Sequence, residues 1–234
     1  LPQACMGKTI MTTEPKFVPN TAASITFDDG FHVNVRLVDC VGYVIPEAKG
    51  YKDEDGVRMV RTPWSEEPIP FHEAAKTGTQ KVIQDHSTIG IVVTTDGSIS
   101  DLSREAYIEA EAEVIDELKS IGKPFIVIVN SKDIHSPTCT SVVSKLKDKY
   151  DVPVLAVAVN HMSEQDIHDI LREALYEFPV SEININMPKW VAVLSDEHWL
   201  KKSFQESIEQ SMSSVERLRE VEAISDVLNE NEYI

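Results

Sequence analysis

Apolar and polar positions divide the chain into segments of different period. Over Ala23–Asp28 and Phe31–Val38 apolar residues alternate with polar ones, as where Val33, Val35 and Leu37 flank Asn34 and Arg36. That period of two predicts two half-buried strands, and Asp29-Gly30 between them is a hairpin signal. Residues 43–70 are rich in Pro, Gly and acidic side chains without a sustained period. They are expected to form a long ordered loop, pinned by apolar contacts of Pro63-Trp64 and Pro68-Ile69-Pro70-Phe71. Phe71–Gln84 reads as a helix. Three continuous apolar runs follow, Ile89–Thr95, Pro124–Val129 and Val152–Val159, each with the character of a strand buried on both faces. Helical patterns lie between and after them. Ser103–Ser120 has Ser103 or Asp101 as its cap, Thr138–Tyr150 has a lysine-rich outer face, and Ser163–Tyr176 opens with Ser163, Glu164 and Asp166.

Apolar strands alternating with helices imply right-handed βαβ crossovers and a mostly parallel sheet flanked by helices. Ligands of such sheets bind at the carboxyl ends of the strands. Asp39, Thr95-Asp96-Gly97 and Asn130-Ser131-Lys132-Asp133 all fall at predicted carboxyl ends, so a single shared site is expected. Phe178-Pro179 breaks the pattern. Beyond it Ile183, Ile185 and Met187 alternate as in a strand, Trp190–Leu194 resembles another, and Asp196 to about Val227 is helical. Two domains are expected, 1–180 and 181–234, the second the start of an α+β domain or an interaction arm.

Charge and cysteines narrow the function classes. A formal net charge of −17 argues against nucleic acid as the partner and against a basic patch on an anionic membrane. Cys5, Cys40 and Cys139 are odd in number and widely spaced, which favours a reducing compartment and gives no zinc spacing. No apolar run reaches the length of a membrane span and no secretory signal opens the sequence, so a cytosolic protein is expected. His32, His72, His86, His161 and His168 are scattered and expected at the surface. The acidic runs Asp53-Glu54-Asp55 and Glu109–Glu113 are expected to be solvated faces.

The candidate chemistry centres on Asp39-x-x-Gly42 at a strand end. In P-loop NTPases an Asp here holds Mg²⁺, and the Gly lets a backbone N–H approach the γ-phosphate. The alternative is a strand that simply ends in a turn. Thr12 or Thr13 offers a hydroxyl to Mg²⁺ and an N–H to the γ-phosphate, ordering its loop when triphosphate is bound; the alternative is a solvated loop pair. Asn130-Ser131-Lys132-Asp133 matches the guanine-reading N-K-x-D except for Ser131. The lysine stem that packs on the guanine ring is missing there, which undercuts guanine selectivity; the alternative is a turn capping the next helix. Tyr43 replaces the Gln that orients attacking water in Ras-type enzymes, so hydrolysis is expected to be slow or to use another group. Gly7-Lys8-Thr9 looks like the end of a Walker A loop, but Pro2 occupies the place of its first Gly and no strand precedes it. Lys8 is read as a solvated loop lysine. Without a phosphate cradle the sequence is expected to be either a fragment lacking the N-terminal P-loop segment or a degenerate NTPase.

Four longer runs carry a family resemblance. Gly-Lys-Thr-Ile-Met-Thr-Thr-Glu-Pro-Lys-Phe-Val-Pro-Asn at 7–20, Arg-Leu-Val-Asp-Cys-Val-Gly-Tyr at 36–43, Glu-Glu-Pro-Ile-Pro-Phe-His-Glu-Ala-Ala at 66–75 and Leu-Arg-Glu-Ala-Leu-Tyr-Glu-Phe-Pro-Val at 171–180 resemble the stage IV sporulation protein A family, the spore-coat morphogenetic ATPases of spore-forming bacteria. The resemblance runs along the whole chain. It implies a P-loop GTPase-like fold of the translation-factor type that binds and hydrolyses ATP with Mg²⁺. Asp39 matches the family's Walker B residue, and Thr12 with Thr13 its sensor threonines, with Thr13 beside Asp39 at the metal. Gly42, Asn130, Ser131 and Asp133 become the cofactor-binding residues. The resemblance also implies self-assembly into a static polymer, the basement layer of the spore coat on the forespore surface in the mother cell. A small amphipathic membrane-bound peptide and other coat proteins are implied as partners through regions beyond these residues, so that membrane contact is indirect. From the residues alone, a nucleotide-independent coat scaffold and a slow GTPase switch remain the alternatives.

Overall fold

The computed structural model describes residues 16–27, 30–48, 52–53, 56–187, 189–213, 215–221 and 224. The chain divides into two compact units, Leu1–Ile170 and Leu171–Ile234.

The alternating segment folds as the expected antiparallel hairpin of β1 (Phe17–Thr26) and β2 (His32–Val38), but β1 is exposed along most of its length instead of half-buried. Gly30 turns it with φ +83°, a region open to glycine. β1 begins earlier than the sequence pattern, because its register is interrupted between Val18 and Ala23. An irregular register hides the period of two. Among the described residues the hairpin is not hydrogen-bonded to the parallel sheet; β1 and β2 pair with each other.

Residues 43–70 are not one loop. They hold two further hairpins, β3 (Lys52–Asp53) with β4 (Gly56–Val57), and β5 (Met59–Thr62) with β6 (Ser65–Pro70). In β5 the buried Val60 and Thr62 alternate with exposed Met59 and Arg61, a period too short to stand out in the sequence. Pro63-Trp64 forms the turn between β5 and β6. Apolar pinning of this segment does occur through Ile69 and Phe71. Phe71 is fully buried with Val60 and Ala74, and Ile69, Val41 and Val44 pack against them.

The nucleus of the first unit is a three-stranded parallel sheet in the order β7 (Gly90–Thr95), β8 (Phe125–Asn130), β9 (Val154–Val157). Helices α1 (Phe71–His86), α2 (Glu105–Ile121), α3 (Pro137–Tyr150) and α4 (Glu164–Tyr176) follow in alternation with it, giving the mixed α/β architecture the pattern predicts. One face of the sheet contributes Val92, Val127, Val129 and Val154 to a core shared with Ile115 and Leu118 of α2 and Val142 and Leu146 of α3. Each fully buried side chain there contributes about 1.5–3 kcal/mol. β8 is buried on both faces; β7 is not. Val93 is 61 % exposed and Ile91 is also exposed, so the face of β7 opposite Val92 is open among the described residues.

Local chemistry sets the helix ends. α2 starts later than expected, after Arg104, with neither Ser103 nor Asp101 capping it, and stops at Gly122 with φ +73°. α3 is capped by Ser136, whose hydroxyl accepts from Cys139 N–H, with Pro137 in the first turn. Ser163 and Asp166 cap α4 reciprocally, the carboxylate accepting from Ser163 N–H at 2.7 Å and the hydroxyl from Asp166 N–H at 3.2 Å. Lys123 Nζ closes the end of α1 by donating to the carbonyls of Ile83, Gln84 and Ser87 at 2.6, 2.7 and 2.6 Å.

In the second unit the expected elements change. Residues 181–187 have no regular structure, and Trp190–Leu194 is not a strand: α5 (Lys189–Ala192) occupies it. An apolar run this short does not distinguish strand from helix. The long terminal helix is interrupted after α6 (Trp199–Met212). Arg217 pairs instead with Pro179 in an isolated bridge, and its guanidinium binds the buried Glu177 at 2.8 Å. Arg219 also binds Glu177. These non-local bonds outweigh the helical propensity of the segment.

Candidate functional site

Two groups of predicted residues are positioned by different parts of the first unit. The first follows β2. Asp39 is exposed at the strand's end, as a carboxylate that is to meet a ligand must be. Beyond it the chain turns through Gly42, which has φ +77° and open space where a Cβ would stand. Its N–H donates to Thr79 Oγ1 on α1 at 3.0 Å. Tyr43 is partly buried, and its hydroxyl lies out of solvent near Gln80 of α1 and Glu113 and Glu117 of α2. Burial first, then those two carboxylates, push the phenol well above its ordinary value. Tyr43 therefore packs on the helices. Thr12 and Thr13 lie outside the described residues.

The second group lies at the carboxyl ends of β7 and β8, where a parallel sheet places its ligands. Asp96, directly after β7, is 7 % exposed. Its Oδ1 accepts from Ser98 N–H at 2.9 Å and from the Ser98 hydroxyl at 2.6 Å. Its Oδ2 accepts from the Ser131 hydroxyl at 2.6 Å. Desolvation acts to raise this carboxyl, but the bonds from Ser131 and Ser98 prevail and hold it below the ordinary carboxylate range. Ser131, 1 % exposed, also accepts from Asp133 N–H at 3.1 Å, and Ser98 accepts from Lys132 N–H at 3.0 Å. The Asp96 carboxylate thus ties the loop after β7 to the loop after β8. Gly97 permits this with φ +91°; a Cβ there would stand 2.9 Å from Arg104 N.

The Ser131 hydroxyl is engaged within this network, by the Asp96 carboxylate and Asp133 N–H, so it braces the loop. Asn130 Oδ1 accepts from Val159 N–H at 3.2 Å, joining the loop after β8 to the 3-10 turn Val159–His161 after β9. Asp133 is exposed and its Oδ1 accepts from His135 N–H at 3.0 Å. Asn130, Ser131 and Lys132 line a pocket of about 330 Å³ with Ile99, Ala158, Asn160 and His161. Asn160 and His161 are therefore part of the candidate site, although their residue types alone gave no signal. Their position immediately past an apolar strand was the available clue. Among the described residues the two loops are anchored through different partners, the loop at Gly42 on Thr79 and the loops at the pocket through Asp96 and Ser131.

Among the described residues no cluster of three or more His, Cys, Asp or Glu side chains is placed to hold a metal by itself. A lone exposed carboxylate such as Asp39 fits Mg²⁺, which keeps several waters and takes its remaining ligands from substrate phosphates.

Comparison with known proteins bears on the chain as a whole. Residues 1–179 match the family model described as stage IV sporulation protein A, ATPase domain, and residues 180–234 the model for its middle domain. All 234 residues align with proteins named stage IV sporulation protein A, at 58% identity in Bacillus subtilis (strain 168), 54% in Bacillus anthracis and 45% in Clostridioides difficile (strain 630). The alignment covers 100% of this chain and 48% of each relative, so the chain spans about half their length. No solved structure matches the chain.

Proposed function

The chain belongs to the stage IV sporulation protein A family, and on that premise we propose that residues 1–180 form an ATP-binding, ATP-hydrolysing domain of the P-loop GTPase-like, translation-factor type. Residues 181–234 are then the start of a middle domain. The observation that carries this reading is the pocket at the carboxyl ends of β8 and β9, lined by Asn130, Lys132, Asn160 and His161 and braced by the Asp96–Ser131 bond. A deliberately held pair of strand-end loops is what nucleotide recognition in a parallel sheet requires. The exposed apolar face at Ile91 and Val93 suits a sheet that a further element covers in this architecture.

In this reading Asp39 and Thr13 hold Mg²⁺, and Thr12, Thr13 and Gly42 respond to the γ-phosphate. Asn130 and Asp133 shape the base end of the site, with Ser131 behind them. Mg²⁺ neutralises charge on the phosphates, while the chain's own residues position them. Hydrolysis drives self-assembly into the basement layer of the spore coat, at the forespore surface in the mother cell. Other coat proteins and a small amphipathic membrane-bound peptide join through regions beyond these residues. A nucleotide-independent scaffold is the second reading, favoured by the commitment of Gly42 N–H to Thr79. A slow GTPase rests on Asn130 and Asp133.

Ser131 has no alkyl stem to lay along guanine, and its hydroxyl is turned inward. ATP is therefore expected to displace a fluorescent nucleotide from full-length protein at lower concentration than GTP. Stronger displacement by GTP would overturn the ATPase reading in favour of the switch.

A further inference from the structure

The loop that carries Gly42 is seated on α1 along its length, with the Cys40 thiol also hydrogen-bonded to Thr79. Val41 and Val44 pack on the cluster of Val60, Phe71 and Ala74. The Tyr43 hydroxyl is out of solvent near Gln80. Between these anchors Gly42 N–H reaches the Thr79 hydroxyl, and Thr79 is 2 % exposed, so water cannot compete for the bond. An N–H directed into one buried acceptor is not free for another. Yet Gly42 is also the loop's freest point, with a left-handed φ and nothing within 4 Å of a built Cβ. Its peptide can turn without dislodging Val41 or Val44.

We propose that Thr79 is a positioning residue that locks the Asp39–Gly42 loop, holding Gly42 N–H on α1 until the γ-phosphate of ATP takes it over. This rests on the ATP reading above. Asp39 stays exposed throughout, so Mg-nucleotide can arrive before the lock opens. Only a triphosphate offers the competing acceptor, so ATP opens the lock and ADP leaves it shut. Loss of the γ-phosphate by hydrolysis returns Gly42 to Thr79. The loop would then couple the nucleotide's chemical state to the packing of α1.

The test is calorimetry on full-length protein with Mg²⁺, using a non-hydrolysable ATP analogue and ADP. Thr79→Val removes the acceptor at similar volume. It should tighten binding of the ATP analogue about fivefold, the size of one ordinary hydrogen bond near 1 kcal/mol, with ADP affinity unchanged. Thr79→Ser keeps the hydroxyl and should restore the wild-type ratio. If Thr79→Val does not fold, Thr79→Ala removes the same hydroxyl and is read the same way. An equal shift for both nucleotides, or for neither, overturns the lock. Asp39→Ala separates the two levels of the argument. If it leaves Mg-nucleotide binding intact, the ATP site itself is misplaced and the lock falls with it; if it abolishes binding while Thr79→Val shifts nothing, the lock alone falls.

Discussion

At the scale of the residue, the side chain that matters most to the pocket's form is the buried Asp96. Both its oxygens are used, and two of its partners, Ser98 and Ser131, each accept a backbone N–H from the loop after β8. Asp96→Asn replaces the acceptor by an amide that matches only part of this set, and is expected to cost about 1–3 kcal/mol at pH 7. The folded-state carboxyl lies below its ordinary value. Its charge-dependent stabilisation is therefore complete above the unfolded pKa, near 4, and is lost as pH falls through the depressed folded value. Urea midpoints of wild type and Asp96→Asn should differ by a constant amount from pH 7 to about 5 and converge towards pH 3. A difference that stays flat to pH 3 would show that the negative charge is not what the serines hold.

At the scale of the element, the loop between β7 and α2 depends on Gly97 for two reasons, its φ of +91° and the 2.9 Å from a built Cβ to Arg104 N. Gly122, after α2, shares the first reason and lacks the second. Gly97→Ala is thus expected to lose about 2 kcal/mol or more, about 4–8 °C in Tm, and Gly122→Ala about 1 kcal/mol. Equal losses by thermal denaturation would mean that the approach of Arg104 is not limiting. Elements of this kind were readable to different depths. The runs that became β7, β8 and β9 announce themselves, because burial in a parallel sheet demands continuous apolar residues. Their carboxyl ends lead to the loop in which Asn130 lines a pocket. What was hidden is non-local. The inward role of Ser131 depends on Asp96, 35 positions away; Thr79 has no motif around it; and the helix at Trp190 and the break before Arg217 come from contacts that periodicity does not encode.

At the scale of the whole molecule, the proposed self-assembly turns on whether nucleotide hydrolysis or mere folding permits it. These 234 residues carry a net charge of −17 and repel their counterparts in other copies, so a polymer that brings them together would need either screening by salt or a shape change that presents a complementary surface. If ATP turnover supplies that change, binding and assembly can be separated genetically. Thr12 and Thr13 are the residues to use, since the resemblance places them at the γ-phosphate and Asp39 at the metal. Thr12→Ala/Thr13→Ala should keep ATP affinity within about tenfold, or about 1.4 kcal/mol, while cutting hydrolysis heavily. Sedimentation of full-length protein with ATP, at fixed ionic strength, should then pellet wild type and leave the double variant in the supernatant. Salt alone should not rescue it, because screening lowers repulsion without creating the new surface. Normal pelleting by a variant shown not to hydrolyse ATP would leave assembly independent of turnover, and the nucleotide fold would then serve the coat as architecture.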